Sequence, residues 1–209
     1  MANAQTEKAK LIYVGDPMCS WCYGFSPEFS KALTSLDDKV NFEMIMGGLR
    51  PYNTQQMPEL ADFLKEHWQH VEERSGQPFN TEVLSKPWKY DTEPPSRAVI
   101  VVRDMAPDKE LDFFKAIQKT FYQDNQNTNL TATYSALAAA MGLDKGQFEV
   151  LFESQQYKEK TRQDFEKAAE MGIRGFPSVV VEYNGRLHLI ANGYAPATQI
   201  IDSVHAIIE

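Results

Sequence analysis

Only two cysteines occur in the 209 residues, and they stand two apart in Asp16-Pro17-Met18-Cys19-Ser20-Trp21-Cys22-Tyr23-Gly24-Phe25. The apolar run before them, residues 11–14, is short enough for a buried strand, and the residues after Cys22 carry helical spacing to about position 36. The dithiol therefore falls at a strand-to-helix junction. Unpaired N–H groups and the helix macrodipole stabilise an anion there, so Cys19, the outer thiol, is expected to ionise more readily than free cysteine. Cysteines so placed have pKa values of roughly 3.5–7.5, against about 8.5 unperturbed.

The residues beyond the dithiol set the chain's organisation. Pro27 is expected to bend the first helix, because it removes one backbone hydrogen bond and crowds the preceding turn. Residues 40–46 form a second strand candidate closed by Gly47-Gly48, which gives a β-α-β unit with a parallel pair. From Pro51 to about Gly172 the spacing is almost entirely helical. Helices are expected over residues 60–73, 96–105, 108–124, 131–141, 145–152 and 161–171, with Pro58, Pro78, Pro87, Pro94-Pro95 and Pro107 as punctuation. The amide-rich stretch 125–129 reads as a loop ending in a helix cap. Residues 177–183 and 186–190 flank Asn184-Gly185, the signature of a two-residue hairpin, and 197–208 is a closing amphipathic helix. The fold class is thus α/β, in the order β-α-β, helical insertion, β-β-α. Residues 1–50 and 173–209 are expected to form one domain and 51–172 an inserted all-α lid.

In these residues the chain resembles the DsbA family of thioredoxin-like proteins, close to its FrnE-like cytosolic branch. Cys19-Ser20-Trp21-Cys22 lies where that family carries its redox dithiol, and Pro27 lies where such proteins kink the active-site helix. Gly175-Phe176-Pro177-Ser178 matches the family's cis-proline loop. Asp16-Pro17-Met18 and Trp21 are more similar to the cytosolic branch than to the periplasmic oxidases. The resemblance covers nearly the whole chain, insert included. It implies a thioredoxin fold, Cys19 and Cys22 as catalytic residues, and a substrate surface made by Ser20, Trp21, Gly175, Phe176 and Pro177. It also makes the Phe176–Pro177 bond cis, where spacing alone would make Pro177 an ordinary trans proline opening a strand.

Each feature has a plainer alternative. A CxxC can be half of a zinc site, but zinc takes four ligands. The four histidines, His67, His70, His188 and His205, have no second cysteine pair to complete a set, and no metal is expected. Asp16 reads first as a turn or cap residue and second as a proton-handling group whose charge would oppose Cys19 ionisation. Glu43 is expected on an outward or edge position. The alternating charges of 157–167 read as a solvated helix face.

With 43% hydrophobic residues the chain can bury a substantial core without disulfides. Its net charge of -8 weighs against nucleic acid or an anionic membrane as partner. Residues 1–10 are polar and lack the apolar segment of a secretory signal, and no run reaches transmembrane length. The expected location is the cytoplasm, where a lone CxxC is more often catalytic or metal-binding than structural. The leading functional expectation is a thiol–disulfide oxidoreductase or isomerase acting on protein, peptide or small-molecule disulfides, with no bound cofactor and with glutathione as a candidate redox co-substrate. The first alternative is a non-catalytic thioredoxin-fold adaptor. The second is a glutathione-dependent isomerase or transferase of the kappa-class type, whose members typically carry serine at the first cysteine position. No oligomeric state follows from the pattern.

Overall fold

The computed structural model describes residues 8–209; the polar segment 1–7, where no secretory signal is expected, lies outside the described residues. Four strands, β1 (Ala9–Gly15), β2 (Val40–Met46), β3 (Ser178–Tyr183) and β4 (Arg186–Asn192), form one sheet in the order β2-β1-β3-β4. β1 and β2 run parallel, with Ala9 opposite Val40 and Gly15 opposite Met46, whereas β3 is antiparallel to both β1 and β4. The central strands are buried on both faces, which is why residues 11–14 and 179–181 read as unbroken apolar runs rather than alternating ones.

Alternation along each strand divides the core. Leu11, Tyr13, Met44, Val179 and Val181 face a large cluster with Phe25 and Phe29 of α1 (Ser20–Ser35) and Ile200 and Val204 of α8 (Ala197–Ile208). Ile12, Val14, Ile45 and Val180 face the opposite side, toward Ala168 and Ile173. The hairpin turn takes the expected form, with Asn184 at φ 50° and Gly185 at φ 71°, and a bulge falls between Val179 and Val180. Glu43 lies on edge strand β2 and pairs with Lys10 and Lys167, the outward placement expected of it.

Between β2 and β3 lie α2 (Met57–Ser75), α3 (Glu93–Met105), α4 (Glu110–Tyr122), α5 (Thr131–Ala140), α6 (Lys145–Glu153) and α7 (Gln155–Glu170). Several boundaries differ from expectation, for identifiable reasons. Pro58 and Pro94-Pro95 sit inside the first turns of α2 and α3, where a missing N–H leaves no helical bond unmade, so both helices start earlier than the prolines suggested. A 3₁₀ turn over Pro107–Lys109 precedes α4, and a second one, Thr81–Ser85, lies in a stretch where no element was expected. α7 begins six residues before position 161, capped by the Ser154 hydroxyl on the Tyr157 N–H. Its charged face hides a buried stripe of Tyr157, Thr161 and Ala168, so residues 157–167 are only half solvated.

The stretch 125–129 is a pin as much as a loop. Asn125 Oδ1 accepts from the Val83 N–H, and Asn129 pairs with both the N–H and the carbonyl of Lys89. The residue capping α5 is Leu130, which makes no side-chain cap bond. Two devices join the helical block to the rest of the fold. Arg103 on α3 donates to Glu110 at 2.6 Å, to Asp164 of α7 at 2.9 Å and to the Met44 carbonyl of β2, while Asp164 also accepts from the Met46 N–H. Gly24 lets α1 and α2 approach closely, since a Cβ there would lie 2.6 Å from Val71 Cγ1.

Candidate functional site

Cys19 is the N-cap of α1, with extended backbone at φ -83° and ψ 117°, and its Sγ accepts from the Cys22 N–H at 3.4 Å. The cap replaces the usual hydroxyl or carboxylate oxygen with sulfur, placing a polarisable atom over an unpaired helix N–H. Cys19 keeps 5% of its surface exposed and Cys22 none, and the two are free thiols. Burial pushes the Cys22 thiol well above its ordinary pKa, and the adjacent Cys19 acts in the same direction.

Across from the dithiol lies the Gly175–Ser178 loop, where the Phe176–Pro177 bond is cis. The Cys19 thiol donates to the Phe176 carbonyl at 3.5 Å. The neighbouring carbonyls are engaged within the fold: Gly193 N–H donates to Pro177 at 2.7 Å and the Ser178 hydroxyl donates to Gly175 at 2.8 Å. Of these three carbonyls, the one at Phe176, which faces the sulfur, has no partner but the thiol among the described residues.

A cleft of about 570 Å³ opens beside this pair, lined by Trp21, His70, Arg74, Phe176, Gly193 and Tyr194. Trp21 is partly exposed and meets His67 edge-on at 6.1 Å between centroids. Arg74 of α2 holds its guanidinium 4.7 Å from the centre of the Tyr194 ring, and it has no carboxylate partner among the described residues. The cleft thus combines aromatic walls with a free cation. Of the residues expected at the site, Cys19, Cys22, Trp21, Phe176 and Pro177 come together. Ser20 is buried at the start of α1 and does not line the cleft, and Gly175 borders a separate depression with Arg174, Leu189 and Asn192.

Several contributors work through partners distant in the sequence, and Asp16, expected as a turn or cap residue, has one local partner and one distant one. Asp16 is fully buried; its Oδ1 accepts from the Met18 N–H at 2.8 Å and its Oδ2 from the Leu49 N–H at 2.7 Å. Burial raises its carboxyl to about 6, the two N–H donors opposing. Gly47 lies under the cis-proline loop, where a Cβ would come within 2.1 Å of the Phe176 ring. Pro27 withdraws a helical N–H from the Tyr23 carbonyl, and Gln77 Nε2 of the insert approaches that carbonyl at 3.5 Å. The Met18 carbonyl, one residue before Cys19, receives the hydroxyls of Tyr90 and Tyr122 from the same insert. Such an arrangement can cycle between dithiol and disulfide by thiolate exchange through Cys19.

The fold has close counterparts of known structure. A candidate protein disulfide isomerase from Nitrosomonas europaea superposes with a TM-score of 0.89 at 35% identity, covering 97% of this chain and 100% of its own. The cytosolic disulfide reductase DsbM from Pseudomonas aeruginosa gives 0.77 at 23%, covering 95% and 96%, and its form with GSH gives 0.71 at 21%, covering the same shares. A 2-hydroxychromene-2-carboxylate isomerase gives 0.62 at 14%, covering 95% and 94%. At those lower identities the likeness speaks for the fold alone. No curated protein sequence matches the chain. The model of the DSBA-like thioredoxin domain matches residues 10–202. With the helical insertion between β2 and β3, the dithiol at the first strand-to-helix junction and this match along nearly its whole length, the chain belongs to the DSBA-like thioredoxin domain family.

Proposed function

We propose that the chain is a cytoplasmic thiol–disulfide oxidoreductase of the FrnE-like branch, acting on protein or small-molecule disulfides. The observation that carries this reading is the Cys19 sulfur at the N-cap of α1, 3.5 Å from the Phe176 carbonyl and beside an open aromatic cleft. In the reducing direction Cys19 thiolate attacks a substrate disulfide, one sulfur leaves as a thiolate, and a mixed disulfide forms on Cys19. Cys22 then gives up its proton, which protonates the departing thiolate, and its sulfur attacks Cys19 Sγ. The second substrate thiol is released and a Cys19–Cys22 disulfide remains. The buried Cys22 stays a thiol until that step, which keeps it from competing as the attacking group.

Two equivalents of glutathione return the enzyme to the dithiol. The cleft supports this reading, since Arg74 can hold a carboxylate while Trp21 and Tyr194 cover an apolar stem. The GSH form of DsbM supports it by analogy. Cysteine at both positions 19 and 22 favours redox turnover over the glutathione-dependent isomerase reading, whose members typically carry serine at the first of them.

The test is insulin reduction by the purified protein in a glutathione-coupled assay. Wild type should accelerate insulin precipitation and Cys19→Ser should not. A wild type no faster than the uncatalysed reaction, with Cys19→Ser identical to it, replaces this reading by the adaptor.

A further inference from the structure

Met18 is fastened on every side. Its N–H donates to Asp16, its sulfur accepts from the Thr128 hydroxyl at 3.5 Å, and its carbonyl accepts two phenol hydroxyls, from Tyr90 and Tyr122, each at 2.6 Å. The side chains of Met18, Tyr90 and Tyr122 lie inside one aromatic core with Trp68 and Phe121. Tyr122 stacks on Tyr23 of α1 at 4.8 Å, and Tyr90 lies parallel to Phe121 at 6.2 Å. A carbonyl has two lone pairs, and each buried phenol needs an acceptor, so the shared oxygen satisfies both hydroxyls.

The position of the carbonyl gives the hydroxyls a second role. Met18 immediately precedes the N-cap, so its carbonyl belongs to the peptide group that carries the Cys19 N–H. Two O–H dipoles pointing at that oxygen oppose the field of its negative end, in a buried site where fixed dipoles act strongly. Burial holds both phenols in the protonated form, and charge on Cys19 and Asp16 acts in the same direction, as expected of groups within reach of one another. We propose that Tyr90 and Tyr122 are positioning residues of the helical insert that, through the Met18 carbonyl, stabilise the Cys19 thiolate. The insert then sets the reactivity of the dithiol as well as covering it. This inference rests on Cys19 being the attacking thiol but not on any particular substrate.

The experiment is the pH dependence of Cys19 alkylation by iodoacetamide in a Cys22→Ser background, comparing wild-type tyrosines with Tyr90→Phe, Tyr122→Phe and the double variant. The midpoint should move to higher pH with each hydroxyl removed. In the double variant, alkylation below the midpoint should slow by on the order of threefold, the scale of two dipoles at an effective dielectric near 20. Replacing tyrosine with 3-fluorotyrosine makes the phenols stronger donors without removing them, and should move the midpoint the other way. That arm reports even if a phenylalanine variant fails to fold. Midpoints that coincide in folded phenylalanine variants, or that stay unmoved by fluorotyrosine, overturn the proposal. Shifted midpoints in a protein that does not reduce insulin leave the clamp standing and remove the oxidoreductase reading instead.

Discussion

Asp16 offers a sharp test of how the site is held together, because burial and hydrogen bonding act on it in opposite senses. Its carboxyl is raised from 3.8 to about 6 by desolvation, despite the N–H groups of Leu49 and Met18. A folded-state pKa above the unfolded one means a stabilising contribution that is complete below about pH 3.8 and is lost as pH rises through about 6. The rise corresponds to about 3 kcal/mol. Asparagine carries no charge at any pH, so Asp16→Asn should remove this dependence, while its NH2 group faces either the Met18 or the Leu49 N–H and adds a pH-independent cost of about 1–3 kcal/mol. The variant should be the less stable near pH 4 by that cost. From pH 4 to pH 7 it should gain on wild type by up to about 3 kcal/mol, or about 6–12 °C in Tm for a chain of this size. Taking the difference between the two proteins at each pH cancels every other titrating group. A difference that stays flat from pH 4 to 7, or one that moves in favour of wild type, refutes the assignment of Asp16 as a carboxylate held against its solvation.

Arg103→Ala leaves Glu110 and Asp164 without their shared cation, and urea denaturation should register a loss of about 3 kcal/mol, with Arg103→Lys recovering only part because an ammonium cannot fork. Gly47→Ala places a methyl group against the Phe176 ring and should turn that ring into the cleft. Insulin-reduction kinetics should then show a KM raised several-fold, with stability lowered by about 1–3 kcal/mol. An unchanged KM would mean that Phe176 does not border the substrate's path.

How much of this was legible in the sequence depended on the range of the contacts. The dithiol, the hairpin turn at Asn184-Gly185 and the order of elements come from local chemistry: an apolar run, a helix start, a pair of residues tolerant of positive φ. Helix starts at Pro58 and Pro94 were displaced because proline punctuates a sequence in the same way whether it ends one helix or opens the next. α7 was cut short because Tyr157 and Thr161 supply its buried stripe with residues that are only half apolar. At the site, Gly47, Tyr90, Tyr122 and Arg74 were missed as contributors for one reason. Each acts on a partner between 72 and 129 positions away, or on a cleft that exists only once the insert has folded onto α1. Tyr90 and Tyr122 carry no local sign that their hydroxyls converge on one carbonyl.

The central claim is a division of labour between two sulfurs, and trapping tests it most directly. Cys22→Ser leaves an attacking thiol without its resolving partner, so lysates expressing the variant should accumulate reductant-sensitive adducts joined through Cys19, identifiable by mass spectrometry of the linked peptides. Cys19→Ser should yield none. Adducts joined through Cys22 instead, or their absence from Cys22→Ser in lysates where wild type and both variants retain the same partners under reducing conditions, would contradict the account and leave the fold as a binding module.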